Sequence, residues 1–409
     1  MSIMIGGKEP SAIKVGTQDV KAVYAGTEKV WPTAIDLSQI TYDPNDLKLV
    51  SSFAVGSVSS GGSSTNKNMC IDNPDLWVLL GSSTWAVSSN QGGMWVINAN
   101  RPDGWPNELP VHDCTWNGEK WCAVTGTKTN NGNLIMLSSD GMNWEMITIS
   151  EPESPDWKYL ELNCVVASEK ESNSFYVYGY SPRRAVNNRD VYGPVAFEVF
   201  NDGTYRHMKH AENTPNDTYD YRTASRAASG SVMGFNEVTM TGWYRSVDDL
   251  MFHAGNEFKP VNEPKPINNA QGGCYGLVYH RKGDFRGFIY AGYQSNWPTY
   301  YESTDGLNWK RIEFSRDGYA YDDAVKDIAH DSVVNEVIML TNNYASNTYI
   351  FNLWNMKGAI QTGKRVLSQD WCPHANRIDR IYAQGQRLVI QTDSHTNTYD
   401  WIIRQEIPA

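Results

Sequence analysis

The sequence predicts an all-β chain, a seven-bladed β-propeller preceded by a small N-terminal β module, and three observations predict it. Aromatic residues make up 12% of the 409, with 15 Trp, 23 Tyr and 11 Phe, beside 33 Gly. Asn-Gly, Asp-Gly and Gly-Gly pairs punctuate the chain every few tens of residues, which is the composition of strands joined by tight turns. No stretch of a dozen residues keeps an apolar stripe at helical spacing; the best segment, Asp322 to His330, is short and reads equally as the start of a strand.

The third observation is a long repeat. An apolar strand ending in Gly or a small polar residue recurs seven times: Leu76 to Gly81, Trp121 to Gly126, Phe175 to Gly179, Val238 to Gly242, Phe288 to Gly292, Val337 to Asn342 and Leu388 to Thr392. The 311 residues from Gly81 to Thr392 span six intervals, a mean of about 52, which is the length of one four-stranded propeller blade. Blades are expected around 48–100, 110–150, 160–208, 222–262, 272–315, 324–366 and 372–408, with Ile35 to Tyr42 supplying an outer strand that closes the ring.

A shorter repeat occupies the N-terminus. Ile3 to Ala12, Ile13 to Ala22 and Val23 to Pro32 are three ten-residue units with Gly at 6, 16 and 26. The last two run through Gly-Thr to a Val, as short strands with Gly-Thr turns do. Residues 1–32 therefore form a β module closed by Trp31-Pro32, and residues 33–409 form the propeller. A module this small cannot hold a core of its own, so it needs a partner surface or another copy, which makes it a docking device.

Charge and cysteine content bound the function. Lys plus Arg is 35 and Asp plus Glu is 46, a net charge of −11, which argues against nucleic acid or an anionic membrane as the main partner. Mean hydropathy is −0.51, no window approaches a membrane span, and the first residues carry no export signal. Cys70, Cys114, Cys122, Cys164, Cys274 and Cys372 have neither C-x-x-C nor zinc-finger spacing and read as reduced strand residues. A two-residue Asn-Gly hairpin at Asn117-Gly118 would set Cys114 opposite Trp121 and Asp113 opposite Cys122, leaving the two cysteines diagonal and unbridged.

A second marker keeps the beat of the long repeat. Ser138 to Trp144 (SSDGMNW) and Ser303 to Trp309 (STDGLNW) are near-copies 165 residues apart, with degenerate copies at Ser246 to Phe252, which holds Asp248, and at Ser88 to Trp95. These segments resemble the Asp-box, or BNR, hairpins of sialidase-like propellers. Their expected role is structural: Ser138, Asp140, Asp248, Ser303 and Asp305 bind turn backbone, while Trp144 and Trp309 pack between blades.

The loops after the second strand of each blade are expected to open on one face, and they are rich in aromatics. Trp85, Tyr180 with Arg183, Trp243 with Tyr244, Tyr293 with Trp297, and Tyr344 are the candidate ligand-binding residues, since flat rings beside Asn, Asp and Arg suit sugars. The bland alternative is that most of them are packing residues. No catalytic residue, metal ligand or cofactor is nominated. A sialidase's arginine triad could draw on Arg222, Arg226, Arg183 and Arg184, but the family's Phe/Tyr-Arg-Ile-Pro segment is absent. A carboxylate pair for another glycosidase could be drawn from Asp113, Asp323, Asp327 and Asp393 only arbitrarily among 46 acids.

Val15-Gly16, Tyr24 and Gly26, and Trp31 lie in runs, I-x-V-G and V-Y-x-G followed by V-W, that resemble the N-terminal attachment segments of tailed-bacteriophage virion proteins. The resemblance covers about 30 of 409 residues. It implies a virion protein docked by these residues to other virion proteins, in symmetric copies, with the propeller displayed as a tail-fibre-associated or receptor-binding part for host surface polysaccharide. Two other classes stay open: a purely architectural capsid or collar decoration, and a glycoside hydrolase. No nucleic-acid or membrane partner is expected.

Overall fold

The computed structural model describes two hairpins within 14–31, the strand 47–54, and 68–401 apart from short breaks between strands and the longer segments 151–160, 209–227, 263–272 and 312–322. Between 180 and 367 many strands are described by backbone pairing alone. The chain divides into two compact units, residues 1–40 with 405–409, and residues 41–404.

In the smaller unit, Lys14–Val15 pairs with Gln18–Asp19 and Val23–Ala25 with Glu28–Trp31. The pairs Val15↔Gln18 and Ala25↔Glu28 close over Gly16-Thr17 and Gly26-Thr27, which themselves lie outside the described residues. Val15, Tyr24 and Trp31 lie in these strands.

The larger unit is a propeller of seven four-stranded antiparallel sheets. Blade 1 spans 69–98, blade 2 113–148, blade 3 161–208, blade 4 228–260, blade 5 273–311 and blade 6 323–367. Blade 7 joins Ile378–Gln384, Arg387–Thr392 and His395–Trp401 to Leu47–Ala54. All seven repeated apolar segments are second strands, and Asp323–Asp331 is a strand. First strands of consecutive blades touch one another and line the axis.

The second strands carry continuous apolar runs because both faces of a blade are covered by its neighbours. Every residue of Trp77–Leu80 and of Trp121–Val124 is buried. Successive residues serve different interfaces: Trp121 and Ala123 pack with Val78 and Trp85 of blade 1, whereas Cys122 and Val124 pack with Leu162, Phe175 and Val177 of blade 3. The core is thus a set of layers between blades. Outer strands such as Glu145–Thr148 are exposed at both ends.

Two boundaries differ from the expectation. The ring is closed by an N-terminal strand, but that strand is Leu47–Ala54, paired with His395–Trp401 from Trp401↔Leu47 to His395↔Ala54. The segment 35–42 lies outside the described residues. Blade 1 consequently begins at Met69, and residues 48–54, expected there, belong to blade 7. The physical reason is that nothing local in LKLVSSFA says which sheet the strand joins. Pairing the two chain ends removes a free edge at the last blade.

The hairpin of blade 2 also differs. Its register is Cys114↔Ala123, Thr115↔Cys122 and Trp116↔Trp121, which leaves a four-residue turn instead of two. Asn117 causes the lengthening: its Oδ1 accepts the Glu119 and Lys120 N–H groups at 3.0 and 2.9 Å, and its own N–H donates to Lys120 O at 3.1 Å. Cys114 and Cys122 stay offset, and among the described residues no disulfide joins Cys70, Cys114, Cys122, Cys164 or Cys372, all of which are buried. Burial pushes the Cys70 and Cys122 thiols well above their ordinary range.

Candidate functional site

Two kinds of polar construction stand out in the propeller, one in the turns between third and fourth strands and one on the axis. In the turn of blade 2, Ser138 Oγ accepts the Gly141 N–H at 2.9 Å and donates to Asn143 O at 2.6 Å. Asp140 Oδ1 accepts the N–H groups of Met142 and Asn143 at 2.8 and 2.7 Å, while Oδ2 takes the Asn143 side-chain amide at 2.7 Å. Trp144 closes the turn by donating Nε1–H to Gly141 O at 3.2 Å. Blade 5 repeats the set: Gly306 N–H to Ser303 at 2.8 Å, Leu307 and Asn308 to Asp305 Oδ1 at 2.8 and 2.7 Å, and Trp309 Nε1–H to Gly306 O at 3.0 Å.

These acids are occupied in holding backbone. Partial burial opposes ionisation of Asp140 and Asp305, and the hydrogen bonds from Asn143, Met142 and Ser138, or from Asn308, Leu307 and Ser303, outweigh it and hold both carboxyls below the ordinary range. Gly141 at φ +69° is needed twice over, because a Cβ there would lie 2.9 Å from Val78 Cγ2 of blade 1. Blade 1 uses a longer version, in which Ser88 accepts Gly92 N–H at 2.9 Å and Asn90 accepts Met94 N–H at 2.8 Å. A Cβ on Gly92, at φ +78°, would lie 2.6 Å from Thr398 Oγ1 of blade 7. Asp248 lies outside the described residues. Trp144 and Trp309 are both 6% exposed, and Trp144 packs edge-on against Trp85 at 6.0 Å.

The axial construction was not legible in the sequence. First strands of blades 3 to 7 each carry a bulge, between Leu162/Cys164, Ala228/Gly230, Cys274/Gly276, Val325/Asp327 and Ile378/Arg380. A bulge takes main-chain groups out of the ladder, and in two places a carboxylate from the preceding blade takes up an N–H just past it. Asp113 Oδ2 accepts the Val165 N–H at 3.0 Å, and Asp327 Oδ2 accepts the Ile381 N–H at 2.9 Å. Their other oxygens accept from Cys114 N at 3.0 Å and from Arg380 Nη1 at 3.1 Å. Asp327 is 0% exposed and Arg380 1%, so this is a fully buried ion pair joining blades 6 and 7. Arg380 Nε and Nη2 have no hydrogen-bond partner among the described residues.

The same end of the axis joins blade 7 to blade 1 through Gln391, cross-strand from Arg380, whose side-chain amide donates to Asn68 Oδ1 at 2.9 Å. Burial, with Asp327 and Asp113 adding to it, pushes the phenol of Tyr382 far up. Asp113 and Asp327 are thus struts between blades, and neither is free to serve as a catalytic acid or base in this arrangement. No group of three or more metal-ligating side chains occurs among the described residues.

His112, next to Asp113, donates its main-chain N–H to Val124 O at 2.8 Å. Burial, and secondarily Arg380, lowers its pKa from 6.5 to about 4. The unfolded chain therefore takes up a proton that the folded chain refuses. The contribution of His112 is complete above pH 6.5 and is lost as pH falls from there toward 4, by about 3 kcal/mol at most. Urea midpoints measured from pH 7 to pH 4 are expected to fall in the native chain and to fall less in His112→Gln. Equal slopes would show that other groups carry the acid sensitivity.

The ligand-binding candidates fare unevenly. Trp85 opens the third strand of blade 1 instead of lying in a loop, and at 2% exposure it is packed against Trp105 at 5.6 Å and Trp144, with Arg101 over its ring. It has no open face for a sugar, and this corrects the expectation: the connection after the apolar strand is complete by Thr84, so position 85 already belongs to the next strand. Tyr180 and Arg183 lie in the long strand Ser174–Arg184, Trp243 ends Thr239–Trp243, Tyr293 lies in Phe285–Gln294, and Trp297 opens Trp297–Ser303. These are strand positions instead of loop positions, with their side chains outside the described set. In blades 3 and 5 the second and third strands extend as ribbons, pairing as far as Arg184↔Asp190 and Gln294↔Trp297. Tyr244 and Tyr344, like Arg222, Arg226 and Asp393, lie outside the described residues.

No family model matches the chain, and no curated protein matches it in sequence. Solved structures do match, and they are β-propellers. The chain is similar to YCF48 bound to a D1 peptide, with TM-score 0.55 and 10% identity over 90% of this chain and 99% of that one. It is similar to the Pan2 WD40 domain of Neurospora crassa, with TM-score 0.53 and 7% identity over 90% and 98%. An ancestral GH74 enzyme aligns with TM-score 0.51 and 13% identity over 86% of this chain and 46% of that one. At such identities the likeness is one of fold, and propellers host unrelated functions.

Proposed function

We propose that this chain is a bacteriophage virion protein whose N-terminal unit attaches it to the particle and whose propeller is displayed as a receptor-binding part for host surface glycan. The observation that carries the reading is the N-terminal unit, a compact unit of its own that holds two short hairpins built on a ten-residue Gly-Thr repeat. A unit of this size needs an external surface for stability, and Val15, Gly16, Tyr24, Gly26 and Trp31 are the residues proposed to meet it. The turns at 138–144 and 303–309 are read as Asp-box hairpins on their hydrogen bonds and their resemblance. Tyr180, Arg183, Trp243, Tyr244, Tyr293, Trp297 and Tyr344 are the proposed glycan-facing residues. Localisation to the virion follows from the same reading.

The test is binding of the full chain to bacterial surfaces and to a glycan panel, with product analysis on the same samples. Saturable binding without sugar release is the expected result. Sugar release would replace the reading by glycoside hydrolysis, and failure to bind any surface would leave an architectural virion part. Deleting residues 1–32 keeps the closing strand Leu47–Ala54, so the shortened chain is expected to unfold as cooperatively as the full one while no longer joining particles. Incorporation of the shortened chain into particles would overturn the docking role.

A further inference from the structure

Among the described residues six large apolar side chains are exposed: Leu49, Val50, Met94, Val96, Ile97 and Met142. Five of them sit on two adjoining pieces of the propeller rim. One is the closing strand Leu47–Ala54 of blade 7, and the other is the turn and outer strand Val96–Asn98 of blade 1. Ser51 Oγ donates to Gly92 O at 2.5 Å and Phe53 stacks on Trp95 at 6.0 Å, which holds the two pieces side by side.

Val96 and Ile97 are successive residues of one strand, so they point to opposite faces, yet they are 51% and 65% exposed. That strand pairs with Trp85–Ser88 and ends its sheet, so its outer edge has no strand neighbour within the blade. An apolar edge of this kind is a template for pairing with another chain.

Charge says which chain. The sequence holds 46 acids in 409 residues, one in about nine, which would put one or two among the 13 residues of the two rim pieces. The two rim pieces themselves, residues 47–54 and 94–98, hold no acid and one base, Lys48, in a chain of −11. Two copies of this chain repel over most of their surface and can approach where acid is missing. A basic partner would be drawn to the acidic remainder instead. A two-fold contact also needs only one self-complementary patch.

We infer that this rim is a self-association surface, on which the outer strand Val96–Asn98 of one copy pairs antiparallel with that of a second copy and covers Met94, Ile97, Leu49 and Val50. The contact stands on exposure, edge geometry and charge, and does not depend on the display reading.

Sedimentation equilibrium of the full chain at about 0.05 M and about 0.5 M NaCl tests it, beside the double variant Val96→Lys with Ile97→Lys. The native chain is expected to self-associate, and more tightly at the higher salt, where repulsion between acidic copies is screened. The variant is expected to associate at least about tenfold more weakly, with an unchanged melting temperature, since both positions are more than half exposed. A native chain that stays monomeric through the micromolar range at both salts would overturn the inference, as would a variant that associates as tightly as the native chain. Amide exchange on the unmodified chain gives a reading without substitution: protection at residues 96–98 is expected to rise with protein concentration, and protection independent of concentration would count against the pairing.

Discussion

Replacing Arg380 with methionine is expected to lower the stability of the propeller by about 3–5 kcal/mol, because it strands the carboxylate of Asp327 in the interior. Asp327 is 0% exposed, and although its Oδ2 still accepts the Ile381 N–H, no described cation other than Arg380 is paired with it. Asp327→Asn is expected to cost a comparable amount, since it leaves the Arg380 guanidinium buried without its counter-charge. The double variant is expected to cost clearly less than the two single variants together: it removes both charges, and methionine also removes the Nε and Nη2 donors that have no partner among the described residues. Urea denaturation of the four proteins forms the cycle. Single variants within 1 kcal/mol of the native chain would mean that the pair is hydrated in solution and is no strut.

Truncating Trp144 to alanine is expected to cost about 3–5 kcal/mol, the range for deleting a large aromatic from a packed interior. Its ring lies edge-on to Trp85 in the layer between blades 1 and 2, and its Nε1–H bonds Gly141 O within its own turn, so both the layer and the turn lose support. Met142, two residues earlier in the same turn, is 39% exposed, and Met142→Ala is expected to stay within about 0.5 kcal/mol. Thermal or urea unfolding of the two variants makes the comparison. A Trp144 variant as stable as the Met142 variant would show that the tryptophan packs on no neighbour. Trp309 occupies the same place in the turn of blade 5, and the same truncation there is expected to behave alike.

The strand repeat was legible because a blade buried on both faces must write its second strand as an unbroken apolar run, and such runs return once per blade. The turn motif was legible for a local reason as well: Ser138, Asp140, Gly141 and Trp144 satisfy one another within seven residues, so all the chemistry sits in one window. The aromatic face was less legible. Trp85 follows an apolar run by a few residues, and only the adjoining rings of Trp105 and Trp144 show it to be core.

Composition and periodicity by themselves determined the all-β class, the seven blades and their approximate limits, and the resemblance of the two matching turns to Asp-box hairpins implied that they are structural. Tertiary structure alone decided which strand closes the ring and what Asp113, Asp327 and Arg380 do. The reason is range. A turn is specified by residues a few places apart, whereas Asp327 meets Ile381 across 54 residues and Gln391 meets Asn68 across 323. No local pattern records such a pairing, because the partner of a carboxylate on the axis is an amide that a bulge in the next blade has set free.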